Sequence, residues 1–186
     1  MHVAVYFPGG SLPDQDPFDE RLAWVTIRAL EQAGATVVTV RYDDTLLSPD
    51  EQRFESGVRR ELRGALAYYK PDRVTLVGKS RGTYALRLVC VEDFELPEDT
   101  RLIWLTPVWR SDGSWQAACS NMLPSLHVIG LADRDYHDPL RHADVTGKTV
   151  AIPAADHRLE IAGDILATLD AWRVMADAVV RFAGRQ

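Results

Sequence analysis

The chain has 186 residues, 46% of them hydrophobic and 26% charged, and its 27 acidic against 21 basic side chains give a net charge of −6. A globular chain of that length hides roughly 70% of its unfolded surface, enough for one domain with a full core and no disulfide or metal staples. The composition argues against disorder, collagen-like repeats and coiled coil, the acidic balance gives a nucleic-acid backbone no footprint, and no apolar run reaches the ~18 residues of a membrane span.

The chain opens with a strand-like run, Val3–Phe7, which Pro8-Gly9-Gly10 ends. It carries no basic n-region and no small-residue cleavage site, so a strand is expected there and not a signal peptide. Phe18, Leu22, Val25 and Ala29 then recur at helical spacing, with Gly34 placed to end the helix. A strand-like run follows at Thr36–Arg41, and Phe54, Val58, Leu62, Ala65 and Tyr69 make a second helical stripe. Pro71 stops it, because proline cannot continue a helix and restricts the residue before it. Further strand-like runs stand at Val74–Val77, Leu102–Leu105, Leu126–Leu131 and Thr149–Ile152. A last stripe of Ile161, Ile165, Leu169, Trp172, Ala176 and Val179 predicts a long final helix with those residues on its buried face.

Short apolar strands alternating with helices predict an α/β fold: a three-layer α/β/α sandwich around a mostly parallel six-stranded sheet, as one domain over residues 1–186. Right-handed crossovers put every strand's carboxyl end on one edge, where ligands bind in such sheets. Cys90 and Cys119 fall in segments read as helical and form no CxxC pair. They are expected as buried thiols in a reducing cytoplasm, with no metal site.

The sharpest local pattern is Gly78-Lys79-Ser80-Arg81-Gly82, a G-x-S-x-G after an apolar strand and before the helix-compatible run Tyr84 to Val91. A serine at such a turn is held in a strained conformation above the sheet edge, and glycines two residues either side remove the collisions of helix and strand. Gly78-Lys79-Ser80 also echoes a phosphate-binding loop, but that loop needs a glycine where Arg73 stands. A serine becomes nucleophilic only beside a base that a carboxylate orients. In this architecture the partners should follow in the order acid, base, each after a later strand. Asp133 comes first after Leu126–Leu131, with Asp135 and Asp138 as competitors, and His157 follows Thr149–Ile152 in Ala155-Asp156-His157. His2, His127, His137 and His142 are less suited: one begins the chain, one lies inside a strand, and two follow the proposed acid. Oxyanion donors are expected from the backbone N–H of Arg81, after the nucleophile, and from Gly10 in the first loop, with Ser11 as the alternate.

Together these residues resemble an α/β-hydrolase, and the likeness runs from Pro8-Gly9-Gly10 to Ala155-Asp156-His157. It is nearest to small bacterial members with a GKSxGT elbow. The resemblance implies the strand order 2-1-3-4-5-6, an acyl-serine intermediate at Ser80 with Asp133 and His157, and no metal or organic cofactor. It departs from the family in three places. The amino-terminal antiparallel hairpin is missing, Pro8 replaces a common histidine of the oxyanion loop, and Arg81 follows the nucleophile. Only about twenty residues separate the fourth and fifth strands, too few for a cap domain, so an open site and a small or exposed acyl ester or thioester are expected as substrate. Trp104 is expected in the core, Trp109 is a candidate wall of the acyl pocket, and Lys79 and Arg81 are candidates to attract a substrate anion. The same residues also fit a hydrolase-fold scaffold without turnover, or a peptidase or acyltransferase on the same triad.

Overall fold

A computed structural model of the chain describes residues 1–10, 21–43, 45–46, 50–92, 94–136 and 141–184. Six strands, β1 (His2–Phe7), β2 (Thr36–Thr39), β3 (Arg73–Lys79), β4 (Asp99–Leu105), β5 (Ser125–Gly130) and β6 (Lys148–Ile152), form one sheet in the order β2-β1-β3-β4-β5-β6. Every neighbouring pair is parallel. Five helices cross between or follow them: α1 (Arg21–Gln32), α2 (Glu51–Tyr69), α3 (Thr83–Val91), α4 (Asp112–Ser120) and α5 (Ile165–Ala183). The expected strand order and layers are met, with strand ends moved by one to three residues.

Side chains of a strand alternate between faces, and here that divides the core in two. Val3, Val5 and Phe7 of β1, with Val74, Leu76, Leu102 and Trp104, pack against α2, α3 and α4. Ala4 and Tyr6, with Val77, Ile103, Leu105, Leu126 and Val128, pack against α1 and α5. Both faces of the sheet are covered, which is why its strands read as continuous apolar runs. Among the described residues no helix is long and apolar enough to cross a membrane.

Local chemistry sets the helix limits. Asp50 accepts from the N–H groups of Gln52 and Arg53 at the start of α2, and Lys70, in a left-handed conformation, ends it just before Pro71. Gly34, at φ 83°, ends α1 as expected. At the other end of the molecule Arg73 and Arg101 donate to the carbonyls of Ala183, Phe182 and Gly184, while Asp99 accepts from both guanidinium groups. These cations satisfy orphan carbonyls at the carboxyl end of α5.

The face predicted for that last helix is met at Trp172 and Val179 and corrected at its amino-terminal end. α5 begins only at Ile165, capped by Asp164, and it buries Thr168, Ala171, Trp172, Met175, Ala178, Val179 and Ala183. Ile165 and Leu169 are exposed, and Ile161 lies before the helix in a bridge to Ala155. Specific anchors set the phase: Thr168 Oγ1 accepts from the Ile161 N–H at 2.8 Å and the Trp172 indole donates to the Arg158 carbonyl at 3.2 Å. The alanines on this face let α5 lie close to α1, where Thr26 meets Met175. Phe18, the first residue of the α1 stripe, lies outside the described residues. Both cysteines are free and on α3 and α4 as expected, but half-buried where full burial was expected; burial still pushes the Cys90 thiol up to about 12.

His127, inside β5, has no exposed surface and sits 5.9 Å from the Trp104 ring and 5.4 Å from that of Trp109. Its Nε2 donates to the Thr146 carbonyl at 2.9 Å, and Nδ1 has no partner among the described residues. Burial therefore disfavours the imidazolium and lowers the pKa from 6.5 to about 4. The folded value lies below the unfolded one, so stability present above pH 6.5 is lost as pH falls towards 4. Urea unfolding at pH 7.5 and pH 5 should show a loss of about 2 kcal/mol from this group alone. A His127→Gln variant should show a pH dependence flatter by that amount.

Candidate active site

Ser80 follows the last residue of β3 and holds φ 50°, a left-handed conformation that costs a non-glycine residue energy. The turn is a single 3₁₀ turn, Ser80–Gly82, running directly into α3. A Cβ on Gly78 would lie 2.5 Å from the Gly82 carbonyl oxygen, and one on Gly82 would lie 2.1 Å from that of Phe7. The first contact is the expected clash within the turn. The second is with β1, so Gly82 is what brings the Ser80 turn against the first loop. Thr83 closes the turn by donating to the Ser80 carbonyl at 2.6 Å.

The structure brings Ser80, Asp133 and His157 together. His157 Nε2 lies 2.8 Å from Ser80 Oγ, and His157 Nδ1 lies 2.5 Å from Asp133 Oδ2. A carboxylate only accepts, so Nδ1 carries the proton and Nε2 keeps a lone pair for the serine hydroxyl. Asp133 is 6% exposed, and its second oxygen accepts from the Tyr136 N–H at 3.3 Å. Asp135 is exposed and contributes only its carbonyl, to Arg110, so Asp133 is the carboxylate in contact with the imidazole. Asp138 and His137 lie outside the described residues. His2 bonds Thr75 at 2.9 Å towards the other end of the sheet, and His142 sits on a 3₁₀ turn.

Two backbone contacts hold the acid and base loops together. The Ala132 N–H donates to the Ala155 carbonyl at 2.9 Å and the Leu131 N–H to that of Ile152 at 3.0 Å. The approach is possible because position 130 is glycine: a Cβ there would lie 2.3 Å from the Asp156 oxygen and 2.4 Å from that of Ala155. The base loop itself is folded back by the Asp156 carboxylate, which accepts from the N–H groups of Arg158 and Glu160. Sequence reading missed the role of Gly130. A glycine at a strand end just before the proposed acid was the available signal.

The first loop runs beside the nucleophile. Gly9 approaches Ser80 and Gly10 approaches Arg81: their Cβ positions lie 3.4 Å from Ser80 Cβ and 3.3 Å from Arg81 Cδ. Tyr42 donates its hydroxyl to the Pro8 carbonyl at 2.5 Å, and burial pushes its phenol pKa up. That bond anchors the loop at the position where the resemblance leads one to expect a histidine. Ser11, the alternate donor, lies outside the described residues. The Arg81 guanidinium stands 5.3 Å over the Phe54 ring. Lys79 is 5% exposed, with Nζ 3.2 Å from the Cβ position of Gly9, so it offers a substrate little surface.

Trp109 is a correction. It has no exposed surface and packs in the core beside His127, so it does not wall a solvent-reached pocket. The loop after β4 turns inward there, its N–H donating to the Tyr136 carbonyl at 2.9 Å. Trp104 is in the core as expected. Among the described residues no group of His, Cys, Asp and Glu could hold a metal ion.

No family model matches the sequence, and no curated protein matches it. Solved structures match the fold. The esterase domain of a Rhodothermus marinus protein superposes with a TM-score of 0.64 at 16% identity, over 98% of this chain and 88% of that one. Est1E from Butyrivibrio proteoclasticus gives 0.66 at 13%, over 96% and 88%. A bromoperoxidase from Bacillus anthracis gives 0.64 at 14%, over 98% and 92%. The chain has the α/β-hydrolase fold, and identities this low speak for fold and not for activity.

Gly130→Ala should push the two loops apart and destabilise the protein by about 2 kcal/mol, lowering Tm by roughly 4–8 °C in a scanning thermal melt. Gly64→Ala, on α2 with nothing within 4 Å of its Cβ position, should leave Tm unchanged or raise it by a few degrees.

Proposed function

We propose that this α/β-hydrolase-fold chain is a serine hydrolase of the carboxylesterase or thioesterase type. One observation carries the reading: the unbroken hydrogen-bond chain from Ser80 Oγ through the His157 imidazole to Asp133. As Ser80 Oγ adds to the substrate carbonyl carbon, His157 Nε2 takes the hydroxyl proton, and Asp133 holds the imidazole in the reactive tautomer and stabilises the imidazolium. His157 then gives that proton to the departing alkoxide or thiolate, leaving an acyl-serine. A water molecule activated by the same nitrogen adds to the acyl carbon and releases the carboxylic acid and free Ser80. The oxyanion is held by backbone N–H groups of Arg81 and Gly10, the turn and the loop that Gly82 brings together. Small or exposed acyl groups suit the short connection between β4 and β5, where no cap domain fits. Lys79 and Arg81 lie at the nucleophile turn, but the burial of Lys79 favours a role for it in supporting the first loop.

A fluorophosphonate probe followed by peptide mass spectrometry tests the nucleophile. The adduct is expected on Ser80 and should vanish in His157→Ala; no adduct on the folded protein would falsify the assignment. With p-nitrophenyl acetate, Ser80→Ala should lower turnover by at least about 10³-fold. Asp133→Asn should cost on the order of 10⁴ in kcat, and Asp135→Asn should stay within about twofold of the parent, since its carboxylate is at the surface.

A further inference from the structure

Tyr136, three residues past Asp133, touches both partners of Ser80. Its N–H donates to Asp133 Oδ1, which leaves Oδ2 for His157 Nδ1. Its carbonyl accepts from the N–H groups of Trp109 and Arg110 at 2.9 and 3.2 Å, anchoring the residue to the buried turn after β4. Its ring lies against the imidazole, centroids 4.3 Å apart and planes tilted by 36°. The residue is 43% exposed, so it stands at the rim of the site and is not part of the core.

The imidazole needs such a neighbour. His157 belongs to a loop between β6 and α5, flanked by the left-handed residues Ala154 and Leu159. Hydrogen bonds at Nδ1 and Nε2 hold the two nitrogens, but neither packs against the face of the ring, so small changes in the two side-chain torsions that tilt it are not resisted there. A flat side chain pressed on one face removes that motion, and tyrosine does so with only two side-chain torsions to order. An aromatic face also attracts a cation stacked on it. Shielding the Nδ1–H···Oδ2 pair from water further strengthens the electrostatic interaction between them.

We propose that Tyr136 is a positioning residue for the base: its ring holds the His157 imidazole in the plane that joins Ser80 to Asp133 and favours the imidazolium formed during proton transfer. This rests on the reading of Ser80, His157 and Asp133 as one catalytic unit. Asp133, from the loop after β5, is bonded to the imidazole, and Asp156 and Arg158 are its neighbours in the chain. The Asp156 carboxylate accepts from backbone N–H groups of its own loop, and the Asp133 carboxylate accepts from the ring. The Tyr136 hydroxyl has no hydrogen-bond partner among the described residues, so it is the ring that acts.

The test compares the parent with Tyr136→Phe and Tyr136→Leu by steady-state kinetics on p-nitrophenyl acetate and by proton NMR of the hydrogen-bonded imidazole N–H. Phenylalanine should keep kcat within twofold and keep the downfield N–H resonance. Leucine, which covers the same surface without a flat π face, should lower kcat roughly three- to tenfold with KM within twofold, and should broaden or abolish the resonance through faster exchange with water. A leucine variant with parental kcat and an unchanged resonance would overturn the proposal. A rise in KM alone would make Tyr136 a substrate contact instead, and loss of kcat in the phenylalanine variant would assign the role to the hydroxyl. If the parent shows neither turnover nor probe labelling, the hydrolase reading fails, while the resonance in the three proteins still reports whether the ring holds the pair.

Discussion

Three backbones meet at the carboxyl edge of the sheet more closely than a methyl group would permit, and the geometry of the site depends on that approach. Gly78 lets α3 turn back over β3, Gly82 lets the turn rest on the end of β1, and Gly130 lets the loops after β5 and β6 touch. Strands in a sheet stand about 4.8 Å apart, and at these three glycines the connecting backbones come closer to their neighbours than a Cβ would allow. Ser80 follows β3, Asp133 follows β5 and His157 follows β6, with β4 lying between the first two strands.

The cost of this crowding is carried by conformation and burial. Ser80, Thr106 and Ala154, just past the ends of β3, β4 and β6, all have φ between 41° and 58°. Asp133 is a buried carboxylate, and such a group is tolerated only when its oxygens are engaged. Here one oxygen faces a backbone N–H and the other the imidazole. The acid is thus satisfied by the same loop that carries it and by the base it orients.

Much of this was legible in the sequence because parallel strands buried on both faces leave continuous apolar runs, and because the nucleophile turn needs glycines at fixed offsets. Ser80, Asp133 and His157 could be picked out since each follows such a run in the required order. The phase of α5 could not. Its periodicity fits two faces, and the choice is made by Thr168 and Trp172 bonding backbone outside the helix. Trp109 was misread because an aromatic side chain past a strand end looks the same whether its loop turns out to solvent or in beneath Tyr136. The Tyr136–His157 stack joins residues on two different loops, and no short-range pattern records it.

The order of the elements also has a temporal side. The Ser80 turn is complete before residue 90, whereas His157 comes after β6, the last strand in chain order. Until α5 docks, the sheet face that buries Val77, Ile103, Leu105, Leu126 and Val128 is only partly roofed by α1. A growing chain therefore holds Ser80 long before it holds the imidazole that bonds it. The Ser80–His157 contact can form only after β6 and the loop beyond it have been made.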